Sequence, residues 1–153
     1  MKESICKLIS LWNSVLDSAQ GWFLLIIRIY FGYRFMLTGW GKFQNFENTL
    51  GFFQSLSIPF PELNVWIVAS TEFFGGICLI LGLFPRIITV PLVFSMVVAY
   101  LTAHSDSLGD ATKMFKQEPF PFLVASLLVL IFGPGKFALD SFCKSRCNSN
   151  KSS

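Results

Sequence analysis

The sequence contains few charged residues. Only 14% of its 153 residues are Asp, Glu, Lys or Arg, whereas 53% are hydrophobic. A soluble domain usually carries about 25% charged residues. A soluble chain of this size with so few charges could not cover its apolar surface, so the composition predicts an integral membrane protein with a single domain.

Several other features are scarce or missing. The chain has one histidine, which excludes a histidine pair for a metal or haem within one chain. Its net charge is only +3, with no basic stripe interleaved with aromatic residues, so we expect no nucleic-acid binding. It also lacks a Gly-rich phosphate loop, a nucleophile elbow and a metalloprotease helix. We therefore expect no catalytic residue set and no metal site, and a protein that is not catalytic alone.

The four cysteines do not suggest a disulfide framework. Cys78 lies inside an apolar run and is typical of a small core residue. Cys143 and Cys147 lie in a basic tail, and Cys6 lies near the other terminus. Palmitoylation or ordinary reduced thiols explain these three cysteines better than a metal or redox site does.

Four apolar stretches dominate the sequence, at 21–41, 65–84, 87–104 and 120–137. A membrane-spanning helix needs about 20 mostly apolar residues. The fourth stretch is short and is interrupted by Gly133, Pro134 and Gly135. We predict an all-α fold, an integral membrane bundle of four transmembrane helices that occupies residues 21–140.

Two further segments are amphipathic. Residues 1–20 and 42–57 both place apolar residues three or four positions apart, with polar residues between them. We predict that each forms an interfacial amphipathic helix at the membrane surface, the second ended by Pro59 and Pro61. The basic tail, residues 141–153, is predicted to be disordered.

The orientation follows from the Lys and Arg residues outside the spans, because cytoplasmic loops carry an excess of them. One side holds seven: Lys2, Lys7, Arg86, Lys136, Lys144, Arg146 and Lys151. The other side holds three: Lys42, Lys113 and Lys116. We therefore expect both termini, including the tail, in the cytoplasm.

The ionisable residues within the spans are the best candidates for function, because a charge in the bilayer is costly and persists when it faces the bundle interior with a partner. These residues are Arg28, Arg34 and Glu72, while His104 and Lys42 lie at the outer span ends. At 1.5 Å rise per residue, Arg34 and Glu72 lie at similar depths and could pair. Arg28 lies deeper, and it could reach Glu72 only by stretching or could snorkel toward the cytoplasmic side instead.

Two interpretations of these residues remain open. Either an arginine and Glu72 form an ion pair that only fixes helix register, or the five residues line a polar pocket open to the outer face. Small residues are predicted to let the first two spans pack closely. They are Gly32, Gly39, Gly75 and Gly76.

The motifs in order resemble those of the DoxX family of small four-span bacterial membrane proteins. The first span reads Arg28-x3-Gly32-x2-Phe35-x3-Gly39-x2-Lys42, and the second contains Glu72-Phe-Phe-Gly-Gly. The third ends with Ala103-His104, and Gly-Pro-Gly-Lys-Phe-Ala-Leu-Asp follows the fourth, so that the resemblance covers roughly residues 22–140. It implies a bacterial inner-membrane accessory subunit of a quinone- or sulfur-linked redox system. It also implies that Arg28, rather than Arg34, belongs with Glu72.

Three functional hypotheses follow. The first is a redox accessory protein that binds a quinone or similar apolar ligand near Glu72 and relies on a partner protein to carry electrons. The second is a small transporter in which Glu72 binds a proton or substrate, which the lack of an inverted repeat disfavours. The third is a structural scaffold that binds protein partners. In each case the protein lies in the lipid bilayer, and a homo-oligomer is compatible with all three.

Overall fold

The computed structural model describes residues 2–103, 109–133, 135 and 138. Within these residues the chain is helical and contains no strand, as predicted. The six helices are α1 (Lys2–Gln44), α2 (Phe46–Ser55), α3 (Pro61–Leu81), α4 (Pro85–Ala103), α5 (Ala111–Lys116) and α6 (Pro119–Phe132).

Helices α3 and α4 are long and apolar enough to cross a membrane, and they match the second and third predicted spans within a few residues. Gly82 ends α3 in the left-handed conformation, with φ of +69°. Its N–H donates to the Leu79 carbonyl, and the N–H of Leu83 donates to the Cys78 carbonyl. This C-cap, followed by Pro85 at the start of α4, turns the chain back sharply and makes α3 and α4 neighbours.

Helix α1 differs from the prediction because the amphipathic segment and the first apolar stretch form one continuous helix of 43 residues. A single Gly21 stands at the expected boundary. One glycine costs about 1 kcal/mol within a helix, which good helix formers on both sides can offset. No proline is present to force a break.

The fourth apolar stretch forms a shorter helix than predicted. Helix α6 has 14 residues and ends at Gly133, which has φ of +81°. Residues 134, 136 and 137, also expected in this span, lie outside the described residues. Helix α2 lies within the segment 42–57 that was predicted to be helical, whereas α5 was not predicted. Asp110 caps α5 by accepting a hydrogen bond of 2.9 Å from the Thr112 N–H.

The helices pack in two main pairs, α1 against α3 and α4 against α6. A core of apolar side chains lies between the pairs. Its buried members are Phe35, Leu79, Leu92, Met96, Phe122 and Val129. The opposite faces carry exposed apolar side chains, including Ile26, Phe74, Phe94 and Ile131. Such surfaces suit a lipid environment rather than water.

Candidate ligand cavity and nearby charged residues

A cavity of about 370 Å³ lies at one end of the bundle, between α1, α2, α3, α4 and the first turn of α6. We call this end, where α1 joins α2 and α6 begins, the cavity end. Phe35, Phe52, Phe53 and Phe122 contribute aromatic walls. The rings of Phe35 and Phe122 lie edge to face, with centroids 4.8 Å apart. The volume is in the range typical of small-molecule sites.

One ion pair lies in this apolar cavity. Lys42 Nζ donates a hydrogen bond to Glu72 Oε2. The Glu72 side chain is only 4% exposed, and that of Lys42 is 25% exposed. The carboxylate is thus held inside the bundle, while the ammonium group lies nearer the cavity opening.

Close approach of α1 and α3 brings these two side chains together. A Cβ on Gly39 would lie 2.4 Å from the Phe73 backbone N and 2.8 Å from the Ala69 carbonyl oxygen. Gly39 and Ala69 each precede a member of the ion pair by three residues, which is about one helical turn. The small residues therefore let the helices meet at the position where Lys42 must reach Glu72.

The other predicted packing glycines lie nearby along the same two helices. A Cβ on Gly76 would lie 2.5 Å from the Gly32 carbonyl oxygen, so α1 and α3 are in backbone contact there. Gly75 points elsewhere, since its Cβ would lie 3.1 Å from the side chain of Leu92 on α4. Gly75 and Gly76 thus allow α3 to pack closely against two different helices, α4 and α1.

Three hydroxyl groups also line the cavity, those of Thr38, Ser95 and Thr102. Thr38 donates to the Phe35 carbonyl at 2.9 Å, and Thr102 donates to the Val98 carbonyl at 2.8 Å. The hydroxyl protons of Thr38 and Thr102 are therefore engaged within their own helices, and the oxygen atoms of these two hydroxyl groups are available as hydrogen-bond acceptors. Sequence reasoning missed Thr38, although its position one turn before Lys42 placed it on the same helix face.

Arg34 does not pair with Glu72, contrary to the prediction. It is exposed, and its guanidinium carbon lies 5.7 Å from the centroid of the Phe122 ring. The prediction matched the two residues by depth alone and assigned Arg34 to the wrong face of α1. The next residue, Phe35, is buried in the core, and one residue rotates a helix by about 100°.

Arg28 does not pair with Glu72 either, although it is fully buried. Its Nε donates a 3.1 Å hydrogen bond to the Leu79 carbonyl, near the end of α3. Its guanidinium also lies against Gly82, where a Cβ would be only 2.1 Å from an Arg28 nitrogen. Arg28 therefore supports the α3 terminus at the opposite end from the cavity.

His104 lies outside the described residues. Ala103, which immediately precedes it at the end of α4, lines the cavity. Of the five predicted polar residues, the structure thus brings Lys42 and Glu72 together in the cavity and places Arg28 and Arg34 elsewhere.

Comparison with known proteins identifies the family. The family model named DoxX matches residues 23–105, more than half of the chain. "Putative oxidoreductase CatD" of Bacillus subtilis (strain 168) is 29% identical over 131 residues, covering 84% of this chain and 92% of CatD. "Inner membrane protein YphA" of Escherichia coli (strain K12) is 32% identical over 124 residues, covering 76% of this chain and 87% of YphA. No solved structure matches the chain significantly. The resemblance inferred from the motifs is confirmed, and the chain belongs to the DoxX family of membrane proteins.

Proposed function

We propose that this protein is a four-span subunit of the bacterial inner membrane that binds a quinone-like molecule in the cavity and serves a membrane redox system. Both termini face the cytoplasm in this arrangement, and the cavity end faces the outside. The observation that carries the proposal is the Lys42–Glu72 ion pair within an aromatic cavity.

The membrane arrangement is supported by the helices and by the relatives. Helices α3 and α4 satisfy the length and hydropathy needed for a span, and α6 is apolar but shorter. The second half of α1 contacts α3 throughout and presents exposed Ile26, Tyr33 and Leu37 on its outward side. A relative is named an inner membrane protein, which supports a location in the inner membrane.

The chemistry of the cavity suits a ring that carries carbonyl oxygens. Aromatic walls favour stacked or edge-to-face contact with a planar ring. The Lys42 ammonium can donate a hydrogen bond to a carbonyl oxygen, and the Glu72 carboxylate can accept a hydrogen bond from a hydroxyl group of the reduced ring. A ligand of this kind therefore uses both the apolar walls and the ion pair.

The electrons would come from a second protein. No side chain that lines the cavity is a conventional electron carrier. A partner protein that holds a flavin, haem or iron–sulfur cluster would therefore pass electrons to the bound ligand. The word oxidoreductase in the name of CatD supports a redox link for the family. We therefore assign this chain an accessory role in which it binds and positions the ligand.

Titration of the purified protein with a short-chain quinone in detergent tests the proposal. We expect saturable binding to the wild type and binding at least about tenfold weaker to Glu72→Gln, since a charged hydrogen-bond partner is lost. Glu47→Gln is the matched control, because Glu47 is exposed on α2 and does not line the cavity. Equal affinity of all three proteins for the quinone would contradict the proposal.

A further inference from the structure

Arg34 has an unusual position for a charged residue. It lies on an outward face of α1 together with exposed Tyr30, Tyr33 and Leu37. In the proposed four-span arrangement, on which this inference rests, that face meets lipid. A charged side chain on such a surface is costly unless it reaches the interface or meets an opposite charge.

The described part of the chain supplies no carboxylate to Arg34. The ion pair among the described residues joins Lys42 to Glu72, whereas Arg34 contacts the Phe122 ring. This contact holds the guanidinium in the seam between α1 and α6. An anionic group from outside the described chain would therefore stabilise the guanidinium.

In the proposed arrangement, the short length of α6 can bring a lipid headgroup toward the level of the guanidinium. Phe122 is three residues from the first residue of α6, at the cavity end. Helix α6 has 14 residues and is about 21 Å long, whereas the hydrocarbon core of a bilayer is about 30 Å thick. A bilayer thins beside a short span, which brings phosphate groups closer to its first turn.

We infer that Arg34 binds the phosphate of an anionic phospholipid in the seam between α1 and α6. The planar guanidinium can donate two parallel hydrogen bonds to phosphate oxygens, and Phe122 fixes its orientation. Lys113 and Lys116 on α5 are balanced by Asp110 and Glu118 at the ends of the same segment, so the selectivity comes from the charge of Arg34 itself, which no described carboxylate neutralises. This charge favours an anionic lipid over a zwitterionic one.

Native mass spectrometry with added lipid tests this inference. The wild type is compared in detergent with dioleoyl phosphatidylglycerol, dioleoyl phosphatidylcholine and inorganic phosphate. We expect one phosphatidylglycerol to be retained, with at least about tenfold weaker retention in Arg34→Gln, which loses the charge-assisted hydrogen bonds to phosphate. Arg34→Lys should be intermediate because it keeps the charge without the planar fork.

Arg86→Gln is the matched control. Arg86 is exposed at the opposite end of the bundle, so its loss should leave this bound lipid in place. If Arg34→Gln does not fold, the preference of the wild type for phosphatidylglycerol and the intermediate retention by Arg34→Lys still decide the matter.

Four results would each overturn the inference. The first two are equal retention of both lipids by the wild type and undiminished phosphatidylglycerol retention by Arg34→Gln. The third is displacement of the lipid by millimolar inorganic phosphate. The fourth is a wild-type dimer that is absent in Arg34→Gln. The third would assign the site to free phosphate and the fourth to a second copy of the chain. Quinone binding is measured separately, so failure here leaves the proposed function standing.

Discussion

Lys42 at the end of α1 and Glu72 in the middle of α3 form an ion pair inside an aromatic cavity, although thirty residues of chain separate them. Both side chains also face the space that a ligand would occupy. The pair can therefore fix the register of α1 against α3, bind a ligand, or do both. Separate measurements of stability and binding distinguish these roles.

Substitutions of Lys42 and Glu72 should have coupled effects on the free energy of unfolding. We expect Lys42→Met to lower the free energy of unfolding by about 1–3 kcal/mol, because it leaves a buried carboxylate without its partner. Combining Lys42→Met with Glu72→Leu should recover most of the loss, since an apolar pair needs no desolvation of charge. Thermal unfolding of the three purified variants and wild type in detergent forms the double-mutant cycle. Strictly additive losses would show that the two residues are not coupled.

The glycine contacts predict that adding a methyl group lowers stability at one glycine and raises it at another. Gly76→Ala should destabilise the protein by about 1–3 kcal/mol, because its Cβ would overlap backbone atoms of Gly32 and Met36. Gly51→Ala is the control, since nothing lies within 4 Å of its Cβ and alanine favours the helix by about 1 kcal/mol. Equal melting temperatures of these two variants would be inconsistent with the backbone contact.

Arg28 should matter for stability rather than for ligand binding. Arg28→Lys loses the Nε donor to the Leu79 carbonyl and should cost about 1–3 kcal/mol, as expected for an unsatisfied buried acceptor. Arg86→Lys changes an exposed arginine and should cost little. Melting temperature and quinone affinity are measured for both variants. A loss of affinity in Arg28→Lys without a loss of stability would place Arg28 in the binding site after all.

The proposed topology predicts labelling from opposite sides. A single cysteine at Ser57, in the exposed α2–α3 connection, should react with an impermeant maleimide added outside intact cells. One at Leu83, in the α3–α4 turn, should react only after the membrane is opened. Both are made in a chain whose four natural cysteines are replaced by serine. The reverse pattern would place the termini and the cavity on the other sides.

Helices α3 and α4 could be predicted from the sequence because each has a long apolar run and a clear boundary, with Gly82 and Pro85 between them. The continuity of α1 could not, since an amphipathic and an apolar segment join without a helix breaker. Periodicity does not reveal how far a helix continues past a change of environment. The short α5 was missed because its six residues are too few to show a period.

The site was predicted in part. Depth along a helix is set by residue number, and it led to Arg34, or Arg28, as the predicted partner of Glu72, with Lys42 expected at the outer end of the span. Which cationic side chain of α1 faces Glu72 depends on which face of that helix is buried, and the sequence alone does not identify that face. Lys42 lies seven residues after Phe35 and shares its face, whereas Arg34 does not. The aromatic walls from α2 and α6 depend on tertiary packing that no local pattern records.

The most direct test of the central claim is mass spectrometry of organic extracts from gently purified protein, comparing wild type with Glu72→Gln and with Glu47→Gln. We predict a quinone at near one per chain in the wild type and in Glu47→Gln, and its loss in Glu72→Gln. If all three extracts contain only bulk phospholipid, the cavity does not hold a quinone and the Lys42–Glu72 pair is structural.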